Sequence, residues 1–496
     1  MALFSIVRFG FIVLIALNII LIATEISCQT ISSSNLSTNS FTTLDSSRDE
    51  SIPVNESTST VLRHLQILFR HGDRAPLAPL FPYDPFNSIK YWPHGLDQLT
   101  NKGRARMFRL GQMIRAKYGT VYLGEGFSPR EINVRSSAID RCLESAQLVL
   151  AGAYPPNNTM WQWDINGSPL PLAQIWQPIP VTSFLPPNDD SLLRNKKYCP
   201  KAEAARNSLL SSPEMITLLE DNHDFLSELS NISGLLIDEI EEADRFYENL
   251  NIEHENGYYW SNSSVKSPFN WTIEHEIEAL KRLKPFTYAR WNNEFNSDII
   301  KRVRAGELLV EIGNNFHQKK SVLDLENESQ NKLMLYSSHD TKVAALLTTL
   351  GVWNRILVPY SSAIIFEMHQ STTNQADFFV VVRYFNETMS LLNDMTSLDF
   401  KDSYPLSLPK CSDHEILIDG VPMCPLDSFL TIISEFKFND WNTECGIDSH
   451  YSSPTYLVVV NILLLIANLG ILFILLLLVM YFWTKLRSRE GYSSLE

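Results

Sequence analysis

Positive charge is scarce in this chain: 41 lysines and arginines face 56 aspartates and glutamates, a net charge of −15. That balance argues against a nucleic-acid partner, whose phosphates require a basic face. Any basic cluster is then a local feature, suited to one small anion. Cysteine is sparse as well. Six are present, with no Cys-x-x-Cys and no Cys/His cluster, so no zinc or other metal site is expected. No internal repeat is visible, which sets solenoids and propellers aside. The chain does have length: 496 residues at 45% hydrophobic content can bury one large core or two smaller ones.

Two long apolar runs lie near the ends. Arg8, the block at 9–23 and small residues up to Cys28 read as a signal peptide over 1–28. Residues 457–482 contain two asparagines and no formal charge, long enough to span a bilayer within 457–483. Lys485, Arg487 and Arg489 follow, placing the tail, 484–496, in the cytosol and the body in the lumen. Residues 29–60 are rich in Ser, Thr and Asn and read as a flexible leader. Nine Asn-x-Ser/Thr sequons fit a glycosylated body: Asn35, Asn55, Asn157, Asn166, Asn231, Asn262, Asn270, Asn327 and Asn386. With Cys28 at the cleavage point, five cysteines remain, which predicts two bridges and one free thiol.

Within the body, 61–450, residues 61–69 form a largely apolar run that reads as a buried strand. Gly72 and Pro76 mark the loop at its carboxyl end, where an open α/β sheet binds ligands. Thr100 can cap a helix with Met107, Leu110 and Ile114 on one face and Gly119 at its end; Arg104, Arg106 and Arg109 read as its solvated face. A short strand at 131–134 delivers Arg135 to a second loop, before a helix at 138–153. From about 155 to 331 the strand–helix alternation lapses into helical segments near 213–229, 232–249 and 273–282, read as a helical cap. The alternation resumes with a strand at 332–336, a loop bearing His339 and Asp340, a helix at 341–350, and strands at 363–368 and 377–385.

Three loops at strand ends thus carry Arg70, His71 and Arg74; Arg135; and His339 with Asp340. Phosphate is the anion this set fits, because guanidinium forks match its oxygens and stay charged. A neutral imidazole can attack phosphorus and hold the phosphoryl group. Asp340 can protonate the leaving oxygen and later activate water, which requires acidic conditions. His64, on the strand's other face, and Asp73, beside an arginine or loop amide, read as structural.

The run Arg70-His71-Gly72-Asp73-Arg74-Ala75-Pro76, with His339-Asp340 far downstream, resembles the histidine acid phosphatases of the lysosomal and prostatic type. The likeness spans roughly 61–445, including Val134-Arg135-Ser136-Ser137, Trp176-Gln177-Pro178-Ile179-Pro180 and Asn442-Thr443-Glu444-Cys445. It implies a phosphoglycerate-mutase-like α/β open sheet with flanking helices, a smaller helical cap, one carboxyl-terminal transmembrane helix, and no metal or cofactor. It further implies phosphomonoester hydrolysis through a phosphohistidine at His71, with Arg70, Arg74, Arg135 and His339 as the phosphate clamp and Asp340 as proton donor. Cys199 would pair with Cys445, and Cys411 with Cys424.

A cap bridge of vertebrate members has no cysteines here, and Cys142 is left over as a buried thiol on a helix face. The tail Gly491-Tyr492-Ser493-Ser494-Leu495 is similar to the tyrosine signals that adaptors read on the way to lysosomal and endosomal membranes, with the cell surface in transit. A homodimer stays open. The alternative functions are an inactive phosphatase-like surface glycoprotein acting in adhesion or binding, and a specialised lipid or inositol phosphate phosphatase.

Overall fold

The computed structural model describes residues 59–490 apart from 125, 157–161, 185–191, 193–197, 263–270, 324–330, 387–402 and 448–453. The signal peptide, nearly all of the leader, the sequons at Asn35, Asn55, Asn157, Asn270 and Asn327, and the tail from Gly491 onward lie outside the described residues. In chain order the elements begin with β1 (Thr60–Arg70), α1 (Asn101–Tyr118), β2 (Ile132–Ser136) and α2 (Asp140–Ala153). A small hairpin follows, β3 (Asp164–Ile165) and β4 (Ser168–Pro169). Then come α3 (Pro200–Leu210), α4 (Pro213–Glu220), α5 (His223–Ser233), α6 (Ile240–Glu255), α7 (Ile273–Glu294), α8 (Asp298–Lys301) and α9 (Glu307–Leu323). Next are β5 (Leu333–Ser338), α10 (Asp340–Thr349), β6 (Ala363–Ser371), β7 (Phe378–Phe385), β8 (Ser403–Leu406), β9 (Ile416–Ile418) and β10 (Val421–Pro425). The last are α11 (Leu426–Ser434), α12 (Trp441–Cys445) and α13 (Pro454–Glu490).

The main sheet has eight strands in the order β2-β5-β1-β6-β7-β10-β9, with β8 also paired to β7. Strands β2, β5 and β1 are parallel, so all three deliver their following loops to one edge; β6 runs antiparallel to β1, and β7 reverses again against β6. The apolar run in β1 reflects burial on both faces. Leu65, Ile67 and Phe69 pack under α1 and α2, whereas Leu68 joins the core beneath α9 and α10. Gln66 is buried as well and donates to Ile312 O of α9 at 2.9 Å. His64 sits in the same layer, its Nδ1 2.7 Å from Asn331 O.

The stretch expected as one cap, about 155–331, divides by its packing. Helices α4 to α7 build a separate aromatic core that also takes in Phe81 and Phe86 from the loop after β1. By contrast Leu308, Leu309, Ile312 and Phe316 of α9 pack on the sheet, because these apolar positions recur every three to four residues and meet Phe366 and Tyr336. Two expected helices are also broken: α4 stops at Glu220, and Gly234, left-handed at φ 75°, closes α5 before α6 begins. Helix α7 opens on a capping box between Thr272 and His275 and runs to Glu294. Bridges join Cys199 to Cys445 and Cys411 to Cys424, and Cys142 is buried outside both bridges. Within α13, Asn461–Lys485 is long and apolar enough to cross a membrane, at a mean hydropathy of 3.2.

Helices α1 and α2 cross at Gly111 and Gly152, where a Cβ on the first would strike Val149 O and on the second Phe108 O. Gly111→Ala is therefore expected to cost roughly 1–3 kcal/mol through overpacking, measured by denaturant unfolding. A buried network offers a second check. Tyr118 donates to Glu367 at 2.6 Å and Arg383 Nε lies 3.1 Å from both of its oxygens. Burial pushes this carboxyl up, but the His369 hydrogen bond and the Arg383 charge pull it down to about 2. A depressed carboxyl stabilises above its unfolded value and loses that contribution as pH falls through the folded one. The stability gap between wild type and Glu367→Gln should stay flat from neutral pH to its ordinary 4.5 and close on approach to 2, as followed by thermal melts.

Candidate active site

Where β1 ends, the chain turns against the first turn of α1, and Gly72 makes the approach feasible because a Cβ there would strike the Gly103 carbonyl. His71 follows Arg70 directly, with its backbone N–H on Ser338 O at 3.0 Å and its side chain buried. Its Nδ1 lies 2.8 Å from Gly72 O. A carbonyl only accepts, so Nδ1 carries the hydrogen and Nε2 keeps its lone pair. Arg141, in the first turn of α2, donates Nε–H to that Nε2 at 3.1 Å. Burial first, then Arg141, Arg70, His339 and Arg74, hold the His71 pKa well below 6.5, so the imidazole is neutral in acid.

Two arginines of the motif flank it. Arg70 Nη2 is 2.6 Å from Asp340 Oδ2, its Nη1 donates to Val358 O at 2.5 Å, and its guanidinium stacks 3.9 Å from the Tyr360 ring centroid. Arg74 pairs through Nη2 with Glu248 Oε1 of α6 at 2.5 Å. The Nε–H groups of both are buried with no protein acceptor, and both residues line one cavity of about 1170 Å³ between the sheet edge and α6–α7. Asp73 pairs with Arg106, so Arg106 is not the solvated residue its helix face suggested; it too lines the cavity.

On the far side His339 occupies the position just before α10, its Nε2 3.1 Å from Ser137 Oγ and 3.5 Å from Cys142 Sγ. Burial, chiefly, with the charges of Arg141, Arg70 and Arg74 outweighing Asp340, lowers its pKa to about 3. Asp340 accepts from the Thr341 N–H at 2.7 Å. Burial pushes its carboxyl up, but Arg70, Arg74, His339 and that N–H together bring it below the usual range.

Of the residues the sequence singled out, Arg70, His71, Arg74, His339 and Asp340 converge on this cavity; Arg135 does not. Strand β2 runs on through Arg135 to Ser136, pairing Arg135 with Tyr336, so the side chain points to the α9 face. There Nη2 pairs with Glu311 at 2.8 Å and the guanidinium lies 5.4 Å from the Tyr336 ring centroid. Arg141 fills the place instead. Reading the strand two residues longer, and the first turn of its helix as part of the loop end, would have found it. Glu248, Val358 and Tyr360 carried no local signal.

Residues 61–385 match the histidine phosphatase superfamily (branch 2). The chain belongs to this superfamily. Among its relatives, the putative acid phosphatase 5 of Caenorhabditis elegans is 31% identical over 84% of this chain and 86% of its own. Human lysosomal acid phosphatase is 32% identical over 85% of this chain and 88% of its own. Bovine prostatic acid phosphatase is 32% identical over 78% and 89%. The fold is also that of the Hafnia alvei phytase solved with myo-inositol hexakis sulphate, at a TM-score of 0.55 and 19% identity, covering 78% of this chain and 98% of that one.

Membership in this family leaves the arginine question to geometry, and the two candidates separate cleanly by mutation. Arg141→Ala is expected to lower phosphomonoesterase kcat/KM by about 100-fold or more, the scale of losing one preorganised donor to a developing anion. Arg135→Ala should stay within about threefold, its cost falling on stability instead.

Proposed function

We propose that this protein is an acid phosphatase that hydrolyses phosphomonoesters through a covalent phosphohistidine at His71. The observation that carries this reading is a buried, neutral His71 whose Nε2 lone pair meets Arg141, with Arg70, Arg74 and Asp340 around the same cavity. The inactive-glycoprotein alternative gains no support from a site in which nucleophile, clamp and acid stand together.

In the first step Nε2 of His71 attacks phosphorus while the bond to the ester oxygen breaks, and Asp340 gives that oxygen its proton. Arg70, Arg74 and Arg141 spread the charge that builds on the equatorial oxygens, with His339 at the helix N-terminus. In the second step water attacks phosphorus, its proton passes to the Asp340 carboxylate, and the N–P bond breaks to release phosphate. Without substrate Asp340 is held ionised by Arg70 at 2.6 Å. A phosphate dianion takes over the arginine charge, so the carboxyl regains affinity for a proton as substrate binds. Acidic conditions favour that protonated state, while neutral His71 remains a nucleophile there.

The lysosomal relatives and the apolar span in α13 support a lysosomal membrane protein with a luminal, glycosylated body. Asn166 in an exposed turn and Asn231 on the exposed side of α5 offer accessible sequons; Asn262 and Asn386 follow in a 3₁₀ turn and after β7. Sorting adaptors reading Tyr492 and Leu495 would route it, so Tyr492→Ala should raise the fraction biotinylated at the cell surface.

His71→Ala should abolish release of p-nitrophenol from its phosphate and eliminate acid-quenched labelling by phosphate-labelled substrate; turnover that persists would refute the mechanism. Asp340→Asn should be about tenfold more damaging with an alkyl phosphate than with p-nitrophenyl phosphate, since the poorer leaving group depends more on its proton. Equal losses on both would remove Asp340 from the acid role.

A further inference from the structure

Glu248 reaches from the cap into the phosphate clamp, its Oε1 2.5 Å from Nη2 of the buried Arg74. The chemistry above needs no carboxylate there, and one beside a phosphate-binding arginine competes with the anion. A charge count gives it a purpose. With Asp340 protonated and both histidines neutral, the three guanidinium groups of Arg70, Arg74 and Arg141 balance one phosphate dianion plus Glu248, with nothing left over. The outer cavity supplies no surplus either. Arg106 is paired with Asp73 and Arg290 with Asp244, which leaves Lys102 and Lys284 set against Asp97 and Glu255.

We propose that Glu248 is a specificity-determining residue that limits this site to a single phosphate group. Its substrates are then monoesters whose leaving group is neutral or cationic near the ester oxygen, and esters with a second phosphate nearby are poor substrates. The proposal rests on the phosphomonoesterase reading. A second consequence concerns Asp340, which shares the cavity with Arg70 of β1, His71 and Arg74 of the next loop, His339, Arg141 of α2 and Tyr360 before β6. Removing the Glu248 charge leaves this group one positive charge in excess. Asp340 then holds its proton less well, and inorganic phosphate binds more tightly.

The test compares full-length, detergent-solubilised wild type, Glu248→Gln and Glu248→Asp on phenyl phosphate, 2-aminoethyl phosphate and fructose 1,6-bisphosphate. Glu248→Gln should lower the inhibition constant of inorganic phosphate about tenfold and raise the bisphosphate-to-phenyl ratio of kcat/KM by a similar factor, with the basic limb of the pH profile moving about half a unit to acid. Glu248→Asp should restore all three toward wild type. An equal fall in kcat/KM on every substrate, with the phosphate constant and the pH limb unmoved, would overturn the proposal and leave Glu248 a structural tie. If Glu248→Gln does not fold, the wild type decides: bisphosphate turned over as well as the other two esters overturns it. A wild type inactive on phenyl phosphate would instead refute the phosphatase reading itself.

Discussion

Buried positive charge at one edge of a parallel strand triplet is the constraint on which the rest of this structure depends. Arg70, Arg74 and Arg141 are drawn together because β1 and β2 end side by side about β5. Guanidinium groups that close in a low-dielectric setting repel one another, and each needs compensation. The protein offsets them piecemeal: Asp340 and the Val358 carbonyl on Arg70, the Tyr360 ring beneath it, and Glu248 on Arg74. Burial first, and their field second, keep His71 and His339 uncharged. An imidazole neutral well below its ordinary range is what a nucleophile working in acid requires, so in the mechanism we propose one electrostatic arrangement both binds the anion and prepares the attack.

The cap is tied to that arrangement from two sides. The loop after His71 sends Phe81 and Phe86 into the aromatic core of α4–α7. Helix α6, from the same core, returns Glu248 to Arg74. A movement of the cap is therefore felt at Arg74 directly. Gly72 and Gly103 keep the intervening loop in backbone contact with α1, leaving no slack between motif and scaffold.

Much of the frame was legible in the residues. A continuous apolar run marks β1, helical spacing marks α1 and α2, and Thr100 caps α1 as its position suggests. Motif and acid, in different loops, could be joined because strand–loop–helix order predicts one sheet edge. Arg135 failed for a specific reason. Strand ends carry no sharp local mark, and the two residues by which β2 runs past Val134 turn an expected loop side chain into one held on the α9 face of the sheet. Likewise α9 looked like cap, since amphipathic spacing shows that a helix has a buried face and not which core receives it.

By itself the amino-acid sequence determined the chemistry: an invariably charged arginine on each side of a histidine, a histidine–aspartate pair heading a helix, an acidic body, and apolar runs near its ends. Those properties belong to side chains and to local spacing, and they survive without a fold. Only the tertiary structure decided which third arginine reaches His71, and that Asp340 waits ionised against Arg70. It also decided that a carboxylate from a helix 174 residues away in sequence shares the clamp. These outcomes depend on distances of a few ångströms between groups far apart in the chain. Electrostatic energy varies with those distances and with burial, neither of which is written in sequence order.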